Sequence, residues 1–373
     1  MTLPAHMQCI LLTGHGGLEM LKVVGDHPLP APGEGEVLIE VGAAGINNTD
    51  INTRTGWYFE GAAGGSGDHA AGGFEDDGPR KSSWSGAAIA FPRIQGADVC
   101  GRIVAAGSKS DQMRIGERVL VQSMQPQPPD EGGLAILTFG ADFDGGFAEY
   151  AVAKSEMTLA VDSALSDAEL ASFPCAYSTA ENMLDRIALR EGETVLITGA
   201  SGGVGSAAVQ LAKRRGANVI AVASRSKHDF VAGLGADRIV ERDADLIAEI
   251  GEMAVDVIVD LVAGPQWPAL IACLRRGGRY VTAGAIGGPI CELDLRTLYL
   301  HDLTLAGSTF QPKSVFENLV AYIERGEIRP VVSRVYRFSQ VAEAQTDFIA
   351  KRYPGKLVMV PDRLAAASKQ EGV

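Results

Sequence analysis

The fold of this chain is decided by residues 193–227, ETVLITGASGGVGSAAVQLAKRRGANVIAVASRSK. The apolar run Val195-Leu196-Ile197 is typical of a buried parallel strand, and residues 219–222 (VIAV) form a second such run. Between the two runs lies a glycine-rich turn, followed by apolar residues at helical spacing. A strand, a glycine turn, a helix and a second strand in this order predict a βαβ unit that binds a dinucleotide.

The glycine turn supplies the groups that a pyrophosphate needs. Residues 200–205 (ASGGVG) are a variant of the GxGxxG pattern with alanine in the first position. Glycines let the backbone approach the phosphates, and the helix that follows begins with free backbone N–H groups. We therefore expect Ser201, Gly202, Gly203 and Val204 to contact the cofactor. A purely structural βαβ turn is the alternative.

The end of the second strand indicates which dinucleotide is bound. An NAD site usually places Asp or Glu there, where it binds the ribose 2′-hydroxyl. This chain has Ser224, Arg225 and Lys227 instead, with no carboxylate before Asp229. A hydroxyl beside two cationic groups suits a 2′-phosphate, so the pattern favours NADP(H). A solvated basic turn is the alternative.

Composition narrows the class of protein. A length of 373 residues favours two domains, and 46% hydrophobic with 21% charged residues is ordinary for a soluble globular enzyme. The net charge of −13 argues against nucleic acid or an anionic membrane as a partner. The five cysteines are scattered, which is typical of reduced thiols. The first residues lack the basic region of a signal peptide, which predicts a cytoplasmic protein.

The pattern of elements predicts two domains of different character. Short strands with glycine turns precede the nucleotide unit, α/β alternation follows it, and the tail returns to short strands and one helix. We therefore predict an α/β fold in which a doubly wound parallel-sheet domain, residues 161–312, is inserted into a β-rich domain. The β-rich domain would comprise residues 1–160 and 313–373.

Two stretches interrupt the β-rich part. A Gly-, Ala- and acid-rich insertion occupies about residues 60–90. Residues 60–85 of this insertion are typical either of a mobile surface loop or lid or of a disordered excursion without function. Residues 125–133 are predicted to be a proline-rich connector.

Several segments together resemble the zinc-independent side of the medium-chain dehydrogenase/reductase superfamily, which holds quinone oxidoreductases and enoyl reductases. They are PGEGEVLI at 32–39, GINNTD at 45–50, GADVCG at 96–101, GGFAEY at 145–150, the turn at Gly202 and GKLV at 355–358. The resemblance extends from Met7 to about Pro361. It implies a GroES-like catalytic domain, a Rossmann domain and a cofactor in the cleft between them. It also implies a homodimer joined through Rossmann strands, here near residues 303–308.

The resemblance further implies that no metal is bound. The positions that match the catalytic zinc ligands of the zinc-dependent relatives are Asn47, Ala97 with Asp98, and Cys175. Only Cys175 keeps the ligand type of those relatives. One thiolate cannot hold a catalytic zinc ion, which needs three protein ligands.

Without zinc, another group must polarise the carbonyl or deliver a proton. Residues 47–58 (NNTDINTRTGWY) resemble the NPxD…GxY segment of the 2-enoyl thioester reductases, although Asn48 replaces the proline. The resemblance makes Tyr58 the proton donor or carbonyl ligand, with an aromatic ring at the lip of a loop as the alternative. Asn47 is a candidate to donate its amide N–H to a substrate oxygen. Thr49 occupies the place of the Ser/Thr proton relay of the alcohol dehydrogenases, with local packing as its alternative.

The other expected cofactor contacts follow from position. Val262, Ala283 and Ala285 lie where consecutive strands end, at the carboxyl edge where open α/β sheets bind ligands. The resemblance places Thr179 on the helix behind the nicotinamide, and Phe310 and Lys356 on the nicotinamide side.

Together these observations favour an NADPH-dependent oxidoreductase that transfers hydride to a quinone or another α,β-unsaturated carbonyl, without catalytic zinc. The first alternative is a zinc-free NADP-dependent alcohol or ketone oxidoreductase that uses Thr49 as its relay. The second is a non-catalytic NADPH-binding protein. The expected partners are a small carbonyl substrate and a second copy of the chain, and neither nucleic acid nor a membrane.

Overall fold

A computed structural model of the protein describes residues 2–58, 64–66, 72–73, 88–130 and 133–367, with the backbone alone at 126–130, 133–135 and 365–367. The strands are β1 (His6–Leu12), β2 (Leu21–Pro28), β3 (Glu36–Gly45), β4 (Arg93–Ile94), β5 (Cys100–Ala106), β6 (Arg118–Val121), β7 (Met124–Asp130), β8 (Gly133–Thr138), β9 (Tyr150–Lys154), β10 (Thr158–Ala160), β11 (Thr194–Ile197), β12 (Asn218–Ala223), β13 (Arg238–Glu241), β14 (Val255–Asp260), β15 (Leu274–Thr282), β16 (Thr304–Gly307), β17 (Val332–Arg337) and β18 (Lys356–Val360). The α-helices are α1 (Asn48–Thr55), α2 (Asp167–Leu170), α3 (Pro174–Arg186), α4 (Gly203–Arg214), α5 (His228–Ala232), α6 (Leu246–Ile250), α7 (Trp267–Cys273), α8 (Leu295–Leu300), α9 (Lys313–Glu324), α10 (Val341–Ile349) and α11 (Asp362–Ala367).

A six-stranded parallel sheet carries the glycine turn. Its strand order is β13-β12-β11-β14-β15-β16, and every neighbouring pair is parallel. Strand β11 contains the first apolar run and β12 contains the second. Val195, Leu196 and Ile197 of β11 are fully buried, as a strand covered on both faces requires. Numbered within the domain, the order is 3-2-1-4-5-6, which is that of dinucleotide-binding folds. The predicted doubly wound parallel sheet is confirmed.

The β-rich part is closed by the C-terminal tail. Its largest sheet has the order β10-β6-β5-β3-β18-β17, and β9 also pairs with β3. Strand β18 pairs antiparallel with β3, with Val358 opposite Gly45. Because of this pairing, Lys356 at the start of β18 lies beside Ile46 and Asn47, although they are about 310 positions apart in the chain.

Helix α9 packs on the parallel-sheet side of the molecule. Its Phe316 and Leu319 belong to the same buried cluster as Val195 of β11 and Val209 of α4. The predicted domain boundary between residues 312 and 313 stays a prediction.

The prediction of a connector at residues 125–133 is wrong. This stretch forms most of β7, which pairs antiparallel with β8 so that Pro126 lies opposite Ile136. The β7-β8 ribbon has two strands, and each strand therefore has an edge where a proline without an N–H group breaks no ladder.

Most of the glycine-rich insertion lies outside the described residues, so the role of residues 60–85 stays a prediction. The described part at 64–66 crosses to the parallel-sheet side. The Trp57 indole N–H donates to the Gly64 carbonyl at 3.0 Å, and a Cβ placed on Gly65 would lie 2.3 Å from the Ile286 carbonyl oxygen. Among the described residues, no helix combines the length and the apolar character needed to cross a membrane.

Candidate active site

A cleft of about 450 Å³ separates the glycine turn from the end of β3, the start of α1 and the start of β18. This volume falls in the range of small-molecule sites. Many of the predicted site residues form its wall: Asn47, Thr49, Tyr58, Thr179, Gly202, Gly203, Val204, Val262, Ala283, Ala285 and Lys356. The wall does not include Ser201, Ser224, Arg225, Lys227 or Phe310.

The glycine turn is shaped by two tight positions. Gly199 has a φ of +59°, which side chains rarely adopt. A Cβ on Gly205 would lie 2.2 Å from the Gly199 carbonyl oxygen, so the first turn of α4 can approach β11 only with glycine there. Gly202 is the N-cap of α4 in an extended conformation, which places the helix N-terminus in the cleft wall. This end of a helix suits the negative charge of a pyrophosphate.

A buried carboxylate that the sequence analysis missed fixes the loop at Val262. Asp260, at the end of β14, is fully buried and accepts hydrogen bonds from the Thr198 hydroxyl at 2.6 Å and the Tyr280 hydroxyl at 2.6 Å. It also accepts from the backbone N–H of Val262 at 2.9 Å. The carboxyl ends of three neighbouring strands are thereby tied together beside the cleft.

A second buried network joins Lys356, Asp98 and Asn47. Lys356 is 1% exposed and its Nζ donates to Asp98 Oδ2 at 2.9 Å, to Asn47 Oδ1 at 2.5 Å and to the Ile46 carbonyl at 2.9 Å. Asn47 Nδ2 donates to Asp98 Oδ2 at 2.8 Å. Both ends of the Asn47 amide therefore have protein partners. The other Asp98 oxygen accepts from the Cys175 backbone N–H at 2.6 Å, at the start of α3.

Asp50 braces the start of α1 from below. Its two carboxylate oxygens accept from the backbone N–H of Asn47 at 2.8 Å and of Gly96 at 3.3 Å. Burial, and then the nearby charge of Asp98, raises the pKa of Asp50 to about 7, against the lowering effect of the hydrogen bonds and Lys356. Arg54, in the last turn of α1, donates through its Nε to Gln345 Oε1 at 2.9 Å.

The residues at the expected metal position do not fit a zinc ion. The ammonium of Lys356 lies between Asn47 and Asp98, and a cation there repels a second cation. Burial, and then the charge of Asp98, raises the pKa of the Cys175 thiol. Among the described residues there is no group of three or more His, Cys, Asp and Glu that could hold a metal ion.

The proposed catalytic residues on α1 and the turn after it reach the cleft. Helix α1 ends at Gly56, whose left-handed conformation with φ of 76° turns the chain so that Trp57 and Tyr58 face inward. The two rings meet edge to face, with centroids 5.6 Å apart. Thr49, in the first turn of α1, is buried in the same wall. The structure thus brings Tyr58, Thr49 and Asn47 together.

Cationic groups gather near the end of β12. Lys227 Nζ donates to the Lys351 carbonyl at 2.7 Å, and Lys351 Nζ donates to Asn48 Oδ1 at 3.0 Å, in the cleft wall. Burial, and then the charge of Arg242, lowers the pKa of Lys227. Glu241, which the sequence analysis did not consider, accepts from the Arg225 backbone N–H at 3.2 Å. This edge of the sheet therefore carries both the cations that suit the 2′-phosphate of NADP and a carboxylate of the kind that binds the ribose of NAD.

Gln311 is a further cleft residue that no sequence pattern indicated. It is 2% exposed, lines the cleft, and its Nε2 reaches Thr179 Oγ1 only at 3.4 Å. Its amide oxygen is buried and has no hydrogen-bond partner among the described residues. Such a group is available to a ligand that carries an N–H or O–H donor.

Comparison with known proteins agrees with this architecture. Residues 33–163 match the family model of the alcohol dehydrogenase GroES-like domain, and residues 203–325 match that of the zinc-binding dehydrogenases. The fold and the cleft thus define a two-domain dehydrogenase of the GroES-like and Rossmann type.

Individual relatives place the chain more closely. The crystal structure of a candidate alcohol dehydrogenase from Sinorhizobium meliloti 1021 is 47% identical, with 96% of this chain and 98% of that chain covered and a TM-score of 0.86. The acryloyl-coenzyme A reductase of Metallosphaera sedula is 27% identical (95% of this chain, 99% of the relative). The quinone oxidoreductase of Homo sapiens is also 27% identical (95% and 98%). The chain belongs to the medium-chain dehydrogenase/reductase superfamily, on its quinone oxidoreductase-like branch, and is an oxidoreductase of this nicotinamide-dependent type.

Proposed function

We propose that this protein is an NADPH-dependent reductase that transfers hydride to a conjugated carbonyl, either a quinone or an α,β-unsaturated compound, without a catalytic metal. One observation carries the proposal: a single cleft brings Tyr58 and Asn47 to face the glycine turn and Thr179. A quinone oxidoreductase and an acryloyl-coenzyme A reductase among the relatives support this choice of acceptor.

The bound nicotinamide would supply the hydride, and the protein would manage the charge that follows it. Hydride addition to a conjugated carbonyl leaves negative charge on the carbonyl oxygen. The Tyr58 hydroxyl would donate a hydrogen bond to that oxygen, and Tyr58 or water would then deliver the proton. Asn47 would border the oxygen, held in one orientation by Lys356 and Asp98.

The choice of NADPH over NADH rests on the cations near the end of β12. Lys227 lies close to Arg242 and Lys351, so their mutual repulsion would be relieved by an anion such as the 2′-phosphate. Glu241 is at the same edge, but it accepts from backbone N–H groups of Arg225 and Arg242. The carboxylate is therefore engaged without a ribose.

Alcohol–ketone chemistry is the second candidate. It is favoured by the burial of Thr49 in the cleft wall, at the relay position, and by the similarity to a candidate alcohol dehydrogenase. The two candidates differ in which bond is reduced, a C=C or quinone system in the first and an isolated C=O in the second.

A turnover screen tests both. The purified protein is supplied with NADPH and, separately, with a quinone, an enone, an enoyl thioester and a simple ketone, and the products are identified by mass spectrometry and NMR. We expect NADPH oxidation with at least one conjugated acceptor and none with the ketone. Reduction of the ketone alone would favour the Thr49 candidate. Tight NADPH binding without oxidation by any acceptor would show a non-catalytic protein.

A further inference from the structure

The most unusual group in the cleft wall is the buried ammonium of Lys356. An ammonium group has three N–H donors, and here all three have acceptors: the Ile46 carbonyl, Asn47 Oδ1 and Asp98 Oδ2, at 2.9, 2.5 and 2.9 Å. The Asp98 side chain is fully buried and that of Lys356 is 2% exposed. A buried cation with complete coordination by oxygen atoms resembles a bound metal ion in its surroundings.

The location of this cation is as informative as its coordination. Of the positions that match the metal site of the zinc-dependent relatives, Asn47, Asp98 of the Ala97-Asp98 pair, and Cys175 meet here. Asp98 links the other two through the Asn47 side-chain amide at 2.8 Å and the Cys175 backbone N–H at 2.6 Å. Lys356 Nζ bonds to two of the three residues.

We propose that Lys356 is a positioning residue whose ammonium takes the place of the catalytic metal. Anchored by Asp98, it holds the Asn47 amide in one orientation and supplies a fixed positive charge beside it. The ammonium thus fixes the side chain of Asn47 in the way that a metal ion fixes its ligand. The catalytic consequence rests on the proposed reductase function, whereas the exclusion of a metal does not.

The same residue also links the acceptor side of the cleft to the cofactor side. The Lys356 stem passes over the glycine turn so closely that a Cβ on Gly203 would lie 2.9 Å from Lys356 Cδ. The neighbouring Gly355 donates its backbone N–H to the Ser201 carbonyl at 2.8 Å. Lys356 therefore sets the distance between Asn47 and the turn, which is the distance that hydride transfer depends on.

Kinetics of paired variants test the positioning role. Lys356→Met alone would strand the Asp98 carboxylate, so the main variant is Lys356→Met with Asp98→Asn, which removes both charges and keeps both shapes. We expect it to lower kcat with a quinone by about 100-fold at saturating NADPH, as expected for a misplaced catalytic group. The NADPH dissociation constant is measured alongside, so that a loss of cofactor affinity is separated from the loss of kcat. The matched control Lys109→Met, at an exposed lysine, should change neither quantity.

A double-mutant cycle separates positioning from general support of the fold. If Lys356 acts through Asn47, adding Lys356→Met and Asp98→Asn to Asn47→Ala should lower kcat no further than Asn47→Ala alone. Additive losses, or a Lys356→Met/Asp98→Asn enzyme with wild-type kcat, would overturn the positioning role. A wild-type protein that oxidises NADPH with no acceptor would instead refute the proposed function.

Cobalt binding tests the replacement of the metal without any turnover. Asn47→Cys adds a thiol at a position that now contacts both Asp98 and the ammonium, with Cys175 next to Asp98, and adding Lys356→Met removes the ammonium. Titrated with Co²⁺, the double variant should show the thiolate-to-cobalt absorption band at one ion per chain, whereas the wild type and Asn47→Cys should not. Equal cobalt binding by Asn47→Cys, or no binding by the double variant, would show that Lys356 does not occupy a cation position.

Discussion

At the scale of single residues, the cations near β12 give a direct test of cofactor choice. The Arg225 side chain is exposed, and the Lys227 ammonium lies at the same strand end, where it donates to the Lys351 carbonyl. Both cations are therefore placed to meet an anion there. We expect Arg225→Ala with Lys227→Ala to raise the dissociation constant of NADPH by about tenfold or more, since each charge-assisted hydrogen bond contributes about 1.5–3 kcal/mol. The dissociation constant of NADH should change by less than about twofold. Nicotinamide fluorescence measures both, and equal losses for the two cofactors would refute the 2′-phosphate assignment.

Asp50 gives a test of pH dependence. Its pKa is raised from 3.8 to about 7, so between these values the folded protein binds more protons than the unfolded chain. The contribution of Asp50 to stability is therefore present at low pH and is lost as the pH rises toward and through 7. Asp50→Asn imitates the protonated form, and we expect its free energy of unfolding, relative to that of the wild type, to increase from pH 5 to pH 8.

Urea unfolding at several pH values in this range measures the effect. Asp26→Asn, at an exposed carboxylate of β2, is the control against which the change for Asp50→Asn is compared. A constant difference for Asp50→Asn would mean that Asp50 titrates normally.

The residues that the sequence predicted are those that local chemistry singles out. Glycines in a turn and cations at a strand end are recognisable from their neighbours in the chain. The pairing of Asp98 with Lys356 is not, because the two residues meet across 258 positions and neither segment alone indicates the pair, although the resemblance marked each residue separately. Asp260 was missed for a similar reason, since its role depends on the hydroxyls of Thr198, directly after β11, and of Tyr280 in β15.

At the scale of the elements, the turn requires glycine at Gly202 and at Gly205 for two different physical reasons. A Cβ on Gly205 would meet backbone atoms at 2.2 and 2.7 Å, whereas one on Gly202 would meet only the Gly199 carbonyl at an ordinary 3.4 Å. We expect Gly205→Ala to lower the free energy of unfolding by about 1–3 kcal/mol, because backbone must move. We expect Gly202→Ala to keep its stability and to weaken NADPH binding, since the added methyl group blocks the approach of the pyrophosphate.

Thermal unfolding without cofactor and NADPH titration distinguish these two effects. Each variant serves as the control for the other. If Gly202→Ala binds NADPH as tightly as the wild type, this turn does not hold the pyrophosphate.

Elements were predictable where one physical rule dominated. Continuous apolar runs such as Val195-Leu196-Ile197 gave strands because both faces of the sheet are buried. The β7-β8 ribbon was missed because proline normally argues against a strand, and that argument weakens at an edge. The sequence contains no signal that tells these cases apart before the partner strand is known.

At the scale of the whole molecule, the two-domain layout followed from the order of the elements, whereas the closure of the β-rich part did not. The pairing of β18 with β3 returns the C-terminal tail to the first domain and creates the site of Lys356. Short strands in a tail show that a sheet is formed, but not which edge they join. The contacts that complete the active site are therefore the most distant in sequence and the hardest to predict.

Assembly is the remaining whole-molecule question, and we propose a homodimer joined along β16. Among the described strands, β16 pairs with β15 alone, so its outer edge is available for a second copy of the same strand. Next to it in the chain, α8 exposes more than half of Leu295, Tyr299 and Leu300, an apolar surface that a partner would cover. We expect light scattering to give about twice the chain mass of 39.1 kDa. Leu295→Asp with Tyr299→Asp should give the mass of one chain, because buried charges would oppose pairing.

The control for this prediction is Met113→Asp, which places a charge on an even more exposed apolar side chain of the β-rich domain. It should leave the mass at two chains. If the wild type and both variants all have the mass of one chain at every concentration, the proposed dimer does not form and β16 is a free edge of the sheet. If Met113→Asp also dissociates the dimer, the contact lies on the β-rich domain.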